Sequence, residues 1–258
     1  MPANFGGFAV RLMTWNVWGR FGDRWRERED AIVAVVRSLQ PDLVAVQEAW
    51  STPETTQADV LGARLGLHAA FAKSRMPTDA DPEVELGLAV LSRWPLAAVQ
   101  RHHVRGETVA LHIEPAAPGP RVDFVTTCLD WEEDHAEQRM AQAKVLDELV
   151  RDLTTRDGLV VLAGDLNAPP DHPEISLLTE RMTDCWSGRA DAGHTYSSGN
   201  PYLGHGEWIE DHRIDYILAT HRDPHRLQVL DAGIRGLTED NGLPPSDHYA
   251  VFADVALG

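Results

Sequence analysis

The feature that most constrains this chain is a series of short apolar runs, each stopping at an acidic or amide residue. Residues 8–15 end at Asn16, residues 43–46 run into Gln47-Glu48, and residues 159–163 lead through Gly164 to Asp165-Leu166-Asn167. Runs this short and this apolar read as strands buried on both faces. Between them lie helical stripes. Residues 26–39 carry Ile32, Val33, Val35, Val36 and Leu39, with Pro41 just beyond; residues 55–65 form a second helix with Gly66 as its C-cap. Residues 135–152 give the longest helical pattern, with Met140, Val145, Leu146, Leu149 and Val150 on one stripe. Strand-like runs at 86–93, 96–104, 109–113 and 122–129 follow one another without helices, which predicts antiparallel pairing. Residues 75–85 read as a polar loop, and strands at 214–219, 227–234 and 249–255 finish the chain. The expected fold class is α/β (α+β): mixed sheets packed face to face and covered by helices.

At 258 residues the chain suits one domain spanning 1–258. Forty acids against 23 bases give a net charge of −17, and only Lys73 and Lys144 are lysines. Duplex nucleic acid is held by cations that release phosphate counterions, so this balance disfavours it and favours a small phosphorylated substrate. No apolar stretch approaches the roughly 20 residues of a membrane span. The start of the chain lacks an apolar h-region, and Cys128 and Cys185 are too few for a disulfide framework; a cytoplasmic location is expected.

The polar residues at the strand ends are the candidate site. Asp165 and Asn167 lie two apart in an extended segment and point the same way, although Gly-Asp and Asn also form turns. Glu48 ends a buried strand, where a carboxylate needs a partner such as Mg²⁺. Asn16 and Asp247-His248 are ambiguous alone, since each also suits a cap or turn. Asp215 sits inside a strand, where Asp is disfavoured; orienting His248 would explain it. Twelve histidines show no zinc spacing. Trp131 and Trp208 stand in polar loops and are candidates for a substrate wall.

The order and spacing of these residues resemble the endonuclease/exonuclease/phosphatase superfamily over residues 11–255. Supporting positions are Trp25 and Arg28, Pro41-Asp42, the Gly87 to Pro95 segment with Leu91-Ser92-Arg93, Arg139 and Gln142, and Thr195 before Asn200-Pro201. The resemblance implies a four-layer sandwich and Mg²⁺- or Mn²⁺-dependent hydrolysis of a phosphodiester or phosphomonoester by an activated water. It assigns Asn16, Glu48 and Asp247 to the metal region, Asp165 to the water, Asn167 to that water or a phosphoryl oxygen, and His248 with Asp215 to the phosphate. Arg93, Thr195 and Asn200 join Trp131 and Trp208 on the substrate side. One position departs: Thr127-Cys128-Leu129 stands where much of the family has Thr-His-Leu, and other branches carry a tyrosine near this place. A thiol is a weak donor. Three consequences are open: reduced activity; rescue by His102, His103, His112 or His135; or a softer metal reached by Cys128. A working enzyme with a different donor is expected. The alternatives are a DNA or RNA nuclease of the same superfamily and a catalytically silent binding protein.

Overall fold

The computed structural model describes residues 7–22, 24–74, 83–186, 193–203, 211–237 and 243–258. Strand β1 (Phe8–Asn16) alternates its side chains, sending Val10 and Leu12 into one apolar cluster and Met13 and Trp15 into another. Helix α1 (Trp25–Leu39) packs on the second of these and returns the chain to β2 (Leu43–Ser51), parallel to β1 with Asn16 opposite Gln47. Helix α2 (Gln57–Leu65) starts with a capping box in which Thr56 and Asp59 bond reciprocally, and Gly66 closes it at φ 70°. Strands β3 (His68–Lys73) and β4 (Glu85–Ser92) follow, then the antiparallel β5 (Leu96–Arg105), β6 (Thr108–Pro115) and β7 (Arg121–Cys128).

Helix α3 (Ala136–Thr154) crosses over to β8 (Gly158–Asp165), parallel to β7. Then come α4 (Pro173–Thr179), the two-residue β9 (Thr183–Asp184), β10 (Asp215–Thr220), β11 (Leu227–Arg235) and β12 (Ala250–Leu257). Two six-stranded sheets result, β11-β12-β1-β2-β4-β3 and β5-β6-β7-β8-β10-β9. Their facing sides share one core, in which Leu12, Leu43, Val90 and Val255 meet Leu111, Phe124 and Val161. α1 and α2 cover the outside of the first sheet, and α3 and α4 the outside of the second. This is the expected four-layer sandwich of two mixed sheets.

The topology gathers the candidate residues at one edge. β1, β2 and β8 deliver Asn16, Glu48 and Asp165 from their C-terminal ends. β10 runs against β8 with Asp215 opposite Asp165, and β12 runs against β1, so the residues just before β12 reach the same edge. Three elements went unread in the sequence. β3 is a half-exposed edge strand of weak apolar pattern, β9 is only two residues long, and α4 has only seven residues and starts at Pro173. Among the described residues, no helix is long and apolar enough to cross a membrane.

Candidate active site

Trp15 and Arg28 fix the floor of the site. The indole of Trp15 donates to the carbonyl of His248 at 2.9 Å. The buried Arg28 guanidinium donates to the carbonyls of Val17, Trp18, Gly19, Phe21 and Pro245, binding the loop after β1 to the segment before Asp247. Two site residues carry unusual backbone. β2 bulges between Val46 and Ala49, leaving Glu48 at φ 55°, and Asn167 lies at φ 48°. Left-handed backbone disfavours a side chain such as Glu, and such positions concentrate where a side chain must be aimed.

The carboxylates converge on Asn16. Its Nδ2 donates to Glu48 Oε1 at 3.0 Å and to Asp165 Oδ2 at 3.1 Å, while its Oδ1 accepts the Trp18 N–H at 3.0 Å. Asn16 therefore holds two carboxylates in place; as oriented here, its oxygen is committed to backbone. The Asn167 N–H donates to Asp165 Oδ1 at 3.0 Å, and its Nδ2 donates to the Leu129 carbonyl at 2.9 Å, so Asn167 ties the end of β8 to the end of β7. His248 Nδ1 bonds Asp215 Oδ2 at 2.9 Å, and His248 Nε2 lies 3.9 Å from Asp165 Oδ2. The second oxygen of Asp215, Oδ1, is buried without a hydrogen-bond partner among the described residues.

Electrostatics follow from this crowding. Burial, then the charge of Asp247, pushes Glu48 up to about 8. Burial and Asp215 push Asp165 up to about 7, against the opposing pull of His248 and the Asn16 and Asn167 donors. Burial also raises Asp247. Burial alone would lower His248, but Asp215, through charge and hydrogen bond, then Asp165 and Asp247, hold it well above its ordinary value. Two buried, mutually repelling carboxylates, Glu48 and Asp247, make a hard oxygen site. A cation such as Mg²⁺ or Mn²⁺, which takes one or two protein carboxylates and keeps waters, fits them. Cys128 is a soft ligand that a hard cation does not seek. Burial and the surrounding carboxylates hold its thiol well above the usual range, and it packs in the inter-sheet core.

The edge opens into a cleft of about 1040 Å³. Asn16, Glu48, Asp165 and Asn167 line its floor with Asp247, His248 and Cys128. Its wall is the loop after β7, where Asp130, Glu132 and Glu133 flank a 58% exposed Trp131. Arg139 donates to the carbonyls of Asp130 and Glu132 and pairs with buried Glu174 of α4 at 3.0 Å, which fixes that wall from behind. Tyr196 also lines the cleft, its ring centroid 4.9 Å from that of His248, and sequence reasoning missed it. Burial, then Asp247, Asp165 and Glu48, push its phenol up to about 12. Its signal was its place beside Thr195 in a motif already singled out.

Other predicted residues sit elsewhere. Arg93 follows Ser92, which pairs with Leu43 at the start of β2, and it bonds Asp42 at 2.7 Å; the opposite end of the sheet is roughly 15 Å from Glu48 at ordinary strand rise. Thr195 is buried, and its hydroxyl accepts the N–H groups of Ile214 and Asp215, positioning the start of β10. Asn200 is buried too, donating to the Ser246 carbonyl at 2.8 Å. These three are not brought to the cleft; the last two brace its backbone. Trp208 lies outside the described residues.

The family model of the endonuclease/exonuclease/phosphatase family matches residues 13–248. Two curated relatives, the 5'-tyrosyl-DNA phosphodiesterases of Caenorhabditis briggsae and Caenorhabditis elegans, are 27% and 26% identical over 188 residues, 70% of this chain. The match spans about half of their length, 50% and 48%. Among solved structures, D. rerio TDP2 complexed with a single-strand DNA product superposes with a TM-score of 0.79 at 15% identity, over 96% of this chain and 98% of that one. The human Nocturnin catalytic domain gives 0.74 at 19% identity, over 97% and 95%. An endonuclease/exonuclease/phosphatase from Beutenbergia cavernae gives 0.70 at 22%, over 97% and 72%. These likenesses establish a shared fold, and with a family model matching almost the whole chain, the protein belongs to the endonuclease/exonuclease/phosphatase family.

Proposed function

We propose that the protein is a divalent-metal-dependent phosphodiesterase acting at the ends of nucleic acid strands. The observation that carries the hydrolase reading is the His248–Asp215 pair facing Asp165 beside two cation-seeking carboxylates. Asp165, braced by Asn16 and by the Asn167 N–H, takes the proton of an attacking water in this reading. His248, held as an imidazolium by Asp215, presents Nε2 to the cleft, where it donates to a phosphoryl oxygen as charge grows there. Glu48 and Asp247 would hold the ion, which when bound offsets negative charge at phosphorus.

The curated relatives' names support a nucleic-acid substrate over the small phosphoester that composition suggested. The acidic wall then limits how that substrate is held. Asp130, Glu132 and Glu133 repel a polyanion laid along the cleft, whereas a strand end needs only its terminal phosphodiester inside. Trp131 offers its exposed face to a terminal base or an aryl leaving group. The test is hydrolysis of a 5'-phosphotyrosyl single-stranded oligonucleotide beside a nicked or intact duplex of the same sequence, with Mg²⁺ or Mn²⁺. Release of tyrosine without internal cleavage supports the reading; internal cleavage of the duplex as the main product would overturn it.

A further inference from the structure

Cys128 raises a question of chemistry: with only a weak thiol donor at this point of the cleft floor, which neutral group donates to a phosphoryl oxygen? None of the four histidines weighed for the task lines the cleft. His102 is directed to His112 at 3.4 Å, and His112 to Asp123 at 2.9 Å. His103 bonds the Gly106 carbonyl at 2.7 Å, and His135 lies between Asp130 and Glu132 at 3.2 and 3.1 Å. Asn167 Nδ2 spends one N–H on the Leu129 carbonyl at 2.9 Å and lies 3.8 Å from Cys128 Sγ, which leaves it braced against the end of β7.

Tyr196 differs from all of these. Its backbone is fixed on both sides: its N–H donates to the His212 carbonyl at 3.0 Å, it accepts the His212 N–H at 2.8 Å, and it forms a bridge with His248. The neighbouring Thr195 carbonyl accepts the Tyr249 N–H at 2.8 Å. The ring leans on the imidazole of His248, and among the described residues the hydroxyl has no hydrogen-bond partner. A half-buried phenol in the cleft, rigidly mounted and with its donor uncommitted among the described residues, suits a ligand oxygen. We infer that the Tyr196 hydroxyl is the donor to a non-bridging phosphoryl oxygen, taking the place of the imidazole absent at Cys128. The inference rests on the hydrolase reading and adds a catalytic residue to it. Tyr196 works from the loop beside His248, so a strand-end donor at Cys128 is dispensable and the thiol is free to pack.

The test uses the full chain with bis-p-nitrophenyl phosphate and Mn²⁺, comparing native protein, Tyr196→Phe, Cys128→His and the double variant. Tyr196→Phe removes one oxygen. It is expected to lower kcat by about 100-fold, as loss of one oxyanion donor does, with KM and Tm unchanged. Cys128→His should raise kcat at least about tenfold more in the Tyr196→Phe background than in the native one, because the two donors substitute for each other. Native kcat in Tyr196→Phe would overturn the inference, as would an equal gain from Cys128→His in both backgrounds. Absence of metal-dependent turnover by the native protein would overturn the hydrolase reading, and this assignment with it.

Discussion

A buried Asp165 is useful only because its neighbours divide its tasks. Asn16 and the Asn167 N–H fix its two oxygens, and His248 stands 3.9 Å away with its own charge set by Asp215. Replacing Asp215 by Asn keeps the shape and removes the charge that holds His248 protonated. Asp215→Asn is therefore predicted to lower kcat by about 100-fold or more and to move the alkaline limb of the pH–rate profile to lower pH. An unchanged profile would show that Asp215 only packs. The strand-end residues were legible because a polar side chain closing an apolar run has no packing reason to be there. Arg93, Thr195 and Asn200 lay in motifs of equal apparent weight. Their placement depended on which end of β4 faces the cleft and on backbone carbonyls and N–H groups needing partners, neither of which a residue string displays. Tyr196 was hidden for the converse reason, an aromatic in a loop being as good a packing residue as a donor.

The elements make that geometry possible by close approach. A Cβ added at Gly164 would lie 2.1 Å from the Thr127 carbonyl oxygen, so β7 and β8 meet there only because residue 164 has no side chain. Gly164→Ala is predicted to cost about 1–3 kcal/mol, as overpacking does, and to shift Asp165 at the next position. Urea denaturation together with kcat measures both; a variant of native stability would contradict the strand spacing described. The buried Arg139–Glu174 pair joins α3 to α4 behind the cleft wall. Arg139→Met would strand Glu174 and is expected to destabilise by about 3–5 kcal/mol, with Arg139→Met/Glu174→Leu recovering much of it. α1, α2, α3 and the central strands were readable from periodicity because one face of each meets a core. β3 was not, since half its surface is wet, and α4 was not, since seven residues starting at a proline carry too short a stripe.

For the whole molecule, two sheets close a core and leave like charges together at one edge. Without a cation, the folded site keeps protons that the unfolded chain would release: Glu48 titrates at about 8 and Asp165 at about 7, against ordinary values of 4.5 and 3.8. The folded state thus binds more protons between those limits, so its stability must fall as pH rises through them; His248, raised above 6.5, acts in the same direction. Tm in EDTA is predicted to fall from pH 5 to pH 8, and Mg²⁺ or Mn²⁺ to raise it more at pH 8 than at pH 5, since the ion binds the ionised carboxylates. A metal effect independent of pH would contradict the assignment of Glu48 and Asp247. The net charge of −17 was legible at once and pointed to small substrates; that part of it lies on one cleft wall, the feature from which the strand-end proposal is argued, was not. The most direct test of the central claim is hydrolysis of bis-p-nitrophenyl phosphate by native protein and Asp165→Asn, each with EDTA and with Mg²⁺ or Mn²⁺. The structure predicts turnover only with metal, reduced by at least about 100-fold in Asp165→Asn; turnover that survives EDTA, or that the substitution leaves intact, would contradict it.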